Sequence, residues 1–140
     1  AFSHPGGALG RRLLLKVEDV MHVGEGLPQV LLGTSLTGAL MEMTRKGLGM
    51  TVVLDEHGKL AGIFTDGDLR RALDRGIDVR QVTIDQVMTV HGKTVRAEIL
   101  AAEALKIMED NKIGALVVVD ADDRPVGALN MHDLLRAGVM

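Results

Sequence analysis

The sequence predicts an α+β fold made of two copies of one β-α-β-β-α unit, packed with pseudo-twofold symmetry. Three observations predict it. The segment Gly62-Ile-Phe-Thr-Asp-Gly-Asp68-Leu-Arg-Arg71 returns as Gly127-Ala-Leu-Asn-Met-His-Asp133-Leu-Leu-Arg136, and an internal repeat decides an architecture before any local signal does. Each copy carries a continuous apolar, β-branched run, Met50-Thr-Val-Val-Leu54 and Ala115-Leu-Val-Val-Val119, the pattern of strands covered on both faces. A helical period precedes each run: Leu36, Ala39, Leu40 and Met43 in one copy, Ala101, Ala104, Leu105 and Met108 in the other.

The elements follow in order. Residues 1–16 stand outside the repeat. Pro5-Gly6-Gly7 is a turn signal, and Leu9 to Leu15 is a short apolar-basic stretch able to form a helix. The copies span 17–71 and 84–136, within domains taken as 17–76 and 77–140. Val17-Glu-Asp-Val-Met21 and Ile84-Asp-Gln-Val-Met88 open them with a short helical turn. A brief extended piece comes next, Val30 to Leu32 or Thr94 and Val95. Thr34 or Ser35 caps the first amphipathic helix. Gly47 and Gly49, and Gly114 in the second copy, are the helix-ending glycines. The hairpins turn at Asp55-Glu-His-Gly58 and Asp120-Ala-Asp-Asp123 and return over Leu60 to Phe64 and Pro125 to Leu129. Helices over 66–75 and 131–138 close the copies, and Asp74 to Gln81 links them. One such unit is too small to bury its sheet face alone, so the two are expected to fold only together.

Composition narrows the function. Apolar residues make up 46% and charged residues 25%, the balance of a globular protein, and the net charge of −3 gives no electrostatic reason to expect nucleic acid. The aromatics are Phe2 and Phe64 alone, so base stacking is nearly absent; a bound nucleotide base must lie between aliphatic side chains and backbone. With no Cys, disulfides and thiolate metal sites are excluded, which fits a reducing cytoplasm. No apolar run reaches the roughly 18 residues of a membrane span, and no signal peptide is visible. The histidines His22, His57, His91 and His132 lack ligand spacing, so no metal is expected. The start at Ala1 without Met reads as a piece of a longer chain.

The β-α-β-β-α repeat, with Gly-h-x-Thr-x-x-Asp (h, apolar) after its third strand, resembles a tandem pair of cystathionine-β-synthase (CBS) domains over residues 17–138. Further segments are similar to bacterial D-arabinose-5-phosphate isomerases: Ser3-His-Pro-Gly-Gly-Ala-Leu-Gly-Arg11, Asp19-Val-Met21, Ile63-Phe-Thr-Asp-Gly-Asp-Leu-Arg-Arg71 and Met131-His-Asp-Leu-Leu-Arg-Ala137. In that family a sugar-isomerase (SIS) domain interconverts ribulose 5-phosphate and arabinose 5-phosphate for synthesis of Kdo, the acidic sugar of lipopolysaccharide, and a CBS pair follows it. The resemblance implies that residues 1–16 end the catalytic domain. It also implies a regulatory CBS pair that is not itself an enzyme, a nucleotide ligand, a homodimer of pairs within an oligomer, and a cytoplasmic location. An adenine nucleotide is the general ligand of the family; CMP-Kdo, the activated end product, is the feedback candidate. His4 would be catalytic only in the intact parent.

Thr65 and Asp68 carry the most chemistry, with two readings open. In one they form a capping box that closes the helix start. In the other the helix N-terminus and the Thr65 hydroxyl seat a phosphate while Asp68 holds a ribose, the roles the resemblance implies. The second copy keeps Asp133 but has Asn130 for Thr. Asn caps equally well yet lacks the hydroxyl, so two unequal sites are expected. The remaining candidate walls are Met21 and His22, Met50 and Thr51, and Met88, with Val20, Val87, Thr89, Gly49, Gly114 and Ala115 beside them. Met suits a cleft without aromatics, while Met43 and Met108 are read as core. Arg71 is the anion partner of choice among Arg70, Arg71, Arg96 and Arg136.

Overall fold

The computed structural model describes Gly10 and residues 13–139. Each repeat opens on a single 3-10 turn, Val17–Asp19 or Ile84–Gln86. The first repeat continues with β1 (Gln29–Leu31), α1 (Leu36–Lys46), β2 (Met50–Leu54), β3 (Leu60–Thr65) and α2 (Asp66–Asp74). The second has β4 (Thr94–Val95), α3 (Ala101–Asn111), β5 (Ala115–Val119), β6 (Pro125–Asn130) and α4 (Met131–Arg136). They form two three-stranded sheets, β1-β2-β3 and β4-β5-β6, each with a parallel first pair and an antiparallel hairpin. This is the α+β repeat architecture that the sequence predicts. The registers coincide: Thr65 pairs with Met50 and Asn130 with Ala115, so each cap residue ends its strand opposite the start of the neighbouring one.

Local chemistry explains the boundaries. The Ser35 hydroxyl accepts the Gly38 N–H at 3.1 Å and starts α1. Gly47 ends it in the left-handed region at φ 74°. The second repeat departs from expectation here. Lys112, not Gly114, takes the left-handed position at the end of α3, with φ 54°, and Gly114 has no positive φ. In the hairpin turns, Asp55 Oδ1 accepts the N–H groups of His57 and Lys59 at 2.8 and 3.0 Å; Asp120 Oδ1 accepts those of Asp122 and Arg124 at 2.9 and 3.0 Å.

Three cores hold the molecule. Strand alternation sends Met50, Val52 and Ile63 to one face of the first sheet, where they meet Val117, Val119 and Ala128 of the second. The opposite face presents Val53 and Phe64 to Leu36, Ala39 and Met43 of α1, and the second sheet presents Leu116, Val118 and Leu129 to Ala101, Ala104 and Met108 of α3. Both sheet faces are therefore covered, which is why β2 and β5 read as unbroken apolar runs.

The repeats also exchange their openings. Val17, fully buried, belongs to the core of the second repeat, and Ile84 and Val87 belong to the core of the first. Backbone bonds stitch the exchange: Val17 N–H to Ile99 O at 2.9 Å and Ala101 N–H to Leu15 O at 2.8 Å, matched by Ile84 N–H to Thr34 O at 2.8 Å and Leu36 N–H to Val82 O at 3.0 Å. His22 and Ala128 exchange two backbone bonds, as do Ile63 and Thr89.

Candidate functional site

Because β3 runs directly into α2, Thr65 is both the last strand residue and the helix cap. Its hydroxyl accepts the Asp68 N–H at 3.2 Å, and its own N–H donates to Asp68 Oδ2 at 2.9 Å. The capping box is thus formed. The Thr65 hydroxyl lies 3.1 Å from Asp68 Oδ2 and donates to it. Asp68 Oδ1 accepts from the Arg71 guanidinium at 2.6 Å and from the Thr89 hydroxyl at 3.0 Å. Thr89 reaches it only because the opening of the second repeat lies against β3.

The second repeat rebuilds this with different atoms. Asn130 Oδ1 accepts the Asp133 N–H at 2.9 Å, and Asp133 Oδ2 accepts the Asn130 N–H at 2.8 Å. Asp133 Oδ1 is met by the Arg136 guanidinium at 2.8 Å and, where the first repeat has Thr89, by His22 Nε2 at 2.8 Å. Burial pushes the Asp133 carboxyl up. The Asn130 N–H, the His22 imidazole and the Arg136 guanidinium outweigh it and hold the group below its ordinary value. The Asn130 side-chain amide also reaches Leu48 O of the first repeat at 3.4 Å, a tie that Thr could not make.

A cavity of about 620 Å³ opens between these two helix starts. Its wall takes Gly47–Gly49, Thr65–Asp68 and Arg71 from the first repeat, and Thr89, Gly92, Lys93, Lys112–Ala115 and Asn130–His132 from the second. A smaller hollow is lined by Leu15, Asp19, Val20, His22, Asp133, Arg136 and Ala137. Of the residues singled out from sequence, Thr65, Asp68, Arg71 and Asn130 come together in the cavity, with Gly49, Thr89, Gly114 and Ala115. Asp133 and His22 face the smaller hollow.

Val87, which is core, and four others do not reach either wall. Met50 is 1% exposed in the inter-sheet core, and the Thr51 side chain is fully buried, its hydroxyl donating to Val52 O at 3.1 Å. Met21 and Met88 pack over glycines of the opposite repeat: a Cβ on Gly127 would lie 2.6 Å from Met21 Sδ, and one on Gly62 2.5 Å from Met88 Sδ. These methionines lock the exchanged openings in place. Met43 and Met108 are core. His4 lies outside the described residues. Among the described residues no group of three His, Asp or Glu is placed to hold a metal, and no helix is long and apolar enough to cross a membrane.

Lys93 and Lys112 were not singled out from sequence. Both line the cavity, and neither has an ion-pair partner among the described residues. The available signal was their position, each in a short loop between a repeat's opening or helix and the strand that follows.

Residues 17–75 and 79–139 each match the CBS domain family. Over all 140 residues the chain is 56% identical to arabinose 5-phosphate isomerase KdsD of Escherichia coli (strain K12) and 53% to that of Yersinia pestis, covering 42% of either relative. Arabinose 5-phosphate isomerase GutQ of Salmonella typhi is 42% identical over the same length, 43% of its own. The chain therefore spans well under half the length of these curated relatives. Among solved structures, a CBS domain pair in complex with 5′-methylthioadenosine and S-adenosyl-L-methionine superposes with a TM-score of 0.78 at 25% identity, over 88% of this chain and 94% of the other. CBSX2 in complex with AMP gives 0.74 at 26%, over 89% and 96%.

Proposed function

The chain belongs to the CBS domain family, and from that premise we propose that it is the nucleotide-sensing regulatory pair of an arabinose-5-phosphate isomerase. The observation that carries this is the cavity shared by both repeats, with charged groups from each around it. A guest there touches α2 of one repeat and the α3–β5 loop of the other. It favours one relative arrangement of the repeats by its difference in affinity for the two, and a catalytic domain attached to the pair would feel that change.

The identity to KdsD over the full chain supports an isomerase parent in the Kdo branch of lipopolysaccharide synthesis, working in the cytoplasm. Residues 1–16 are then the end of its SIS domain, followed by repeats at 17–76 and 77–140, with pairs dimerising inside an oligomer. The chain itself turns over no sugar phosphate; His4, whose partners belong to the SIS domain, is catalytic only in the parent. The adenosine ligands of structurally similar pairs support an adenine nucleotide as guest. The pathway supports CMP-Kdo as a feedback signal, its acidic sugar suited to the lysines in the cavity wall.

A ligand-free structural role is favoured by one fact: both oxygens of Asp68 already have partners. Thermal melts with CMP-Kdo, AMP and ATP separate the two. The sensing role requires a rise of roughly 5–10 °C for at least one of them at a hundredfold excess over Kd. An unchanged melt with all three favours the structural role instead.

A further inference from the structure

We infer that Lys93 and Lys112 are the phosphate anchor of the shared cavity, displacing the Thr65 hydroxyl and the start of α2 from that role; this rests on the nucleotide reading above. The start of α2 has little left to offer an anion. The N–H groups of Thr65, Asp66 and Asp68 are taken by Asp68 Oδ2, Gly49 O and Thr65 Oγ1. The Thr65 hydroxyl already donates to Asp68, and the Arg71 guanidinium is bound to the same carboxylate. Asp66 adds a carboxylate to the cavity wall at that point, and Arg71 offsets only one of the two carboxylates there, so this part of the wall carries a net negative charge that disfavours a phosphate.

The part of the wall that the second repeat contributes has the reverse character. Lys93 and Lys112 bring two charges with no carboxylate bound to either among the described residues. Lys112 also sits where its backbone is strained. It holds φ 54° at the end of α3, while its counterpart Gly47 holds φ 74° at the end of α1 and lines the same cavity. A side chain at a left-handed position is disfavoured relative to glycine. The other non-glycine residue at positive φ among the described residues, Asp123, is of a type that tolerates this region; Lys is not. A lysine at a position its backbone disfavours, in the same cavity wall as a second lysine without an ion-pair partner among the described residues, is accounted for by a bound anion. A cation at a helix C-terminus is also favoured by the helix dipole, and the test below separates that effect from ligand binding.

Calorimetric titration of the 140-residue chain with AMP, CMP and CMP-Kdo, and with adenosine and cytidine as uncharged counterparts, is compared for wild type, Lys112→Gly and Lys93→Gln. Lys112→Gly is expected to melt, without ligand, about 2 °C higher than wild type. It should bind the nucleotides about tenfold more weakly and the nucleosides as before. Lys93→Gln should show the same weakening without the thermal gain. A Lys112→Gly chain that is less stable and binds the nucleotides as tightly as wild type would assign Lys112 to the helix dipole and overturn the anchor, leaving the nucleotide reading intact. A wild-type chain that binds none of the five compounds overturns the nucleotide reading and the anchor with it.

Discussion

The two repeats solve one problem with different atoms. In the first, Asp68 is ringed by a hydroxyl, a guanidinium and its own cap, and the space beyond it is open cavity. In the second, an imidazole takes the place of the Thr89 hydroxyl and an amide that of the Thr65 hydroxyl, and Asp133 faces a separate, smaller hollow. The loop carrying His22 onward, 23–28, is longer than its counterpart 90–93 and forms a 3-10 turn at Gly24–Gly26. Equal backbones thus yield unequal half-sites. The differences include the length of one loop and the side chains at matched positions such as Thr65 and Asn130, Thr89 and His22, and Gly47 and Lys112.

The harshest way to break the comparison is to separate its members. Cutting the chain at Ile77 deprives the first repeat of Ile84 and Val87, the second of Val17, and both of the inter-sheet core. Burial of each such side chain is worth about 1.5–3 kcal/mol, against a total stability of about 5–15 kcal/mol. Neither half is expected to show a cooperative melt by circular dichroism, and a sharp transition from either alone would mean that the repeats are independent.

A gentler probe is acid. Glu42 on α1 is buried, with Arg45 and Lys46 bound to it and the Gln29 N–H donating at 3.0 Å; the matched residue in the second repeat is Ile107. Burial raises the Glu42 carboxyl, but Arg45, the Gln29 N–H and Lys46 hold it below its ordinary 4.5. Asp133 is held below its ordinary 3.8. A folded pKa below the unfolded one means stability that is complete above the unfolded value and lost as pH falls through the folded one. Both contributions are therefore present at neutral pH. Denaturant titrations should show stability falling below about pH 4.5–5, the Glu42 share first. Glu42→Gln should cost about 1 kcal/mol at pH 7 and remove the upper part of that fall, whereas an unaltered profile would mean that the Glu42 contacts contribute nothing.

The smallest test addresses the helix ends. Gly47→Ala should cost about 1 kcal/mol because φ 74° suits only glycine well, so its melt should move opposite in sign to that of Lys112→Gly. Equal shifts in the same direction would show that the two ends are not under comparable strain.

The parts of this molecule readable in its sequence are those whose signal is periodic or local. The strands 50–54 and 115–119, the helical faces of Leu36 and Ala101, and the Thr65 and Asn130 caps all follow from side-chain spacing and cap chemistry. The exchange of openings does not. A three-residue turn has no period to read, and Val17 has equal reason to bury itself in either repeat until the backbone bonds from Val17 to Ile99 and from Ala101 to Leu15 are counted. Met50 and Thr51 stand beside Gly49 in the sequence, yet strand alternation turns Met50 into the inter-sheet core and Thr51 to the opposite face with Phe64, where it is buried too. At the end of α3 the helix keeps the length of α1, so the left-handed residue falls on Lys112 even though a glycine stands nearby at 114.

The crossed openings carry a consequence for ancestry. A lone repeat presents an apolar turn for which its own body has no socket, and leaves vacant the socket that another copy's turn would fill. Two separate polypeptides would meet this need by trading turns, as domain-swapped partners do. Joining them through residues 76–83 makes the trade internal, so its completeness no longer depends on how much protein is present.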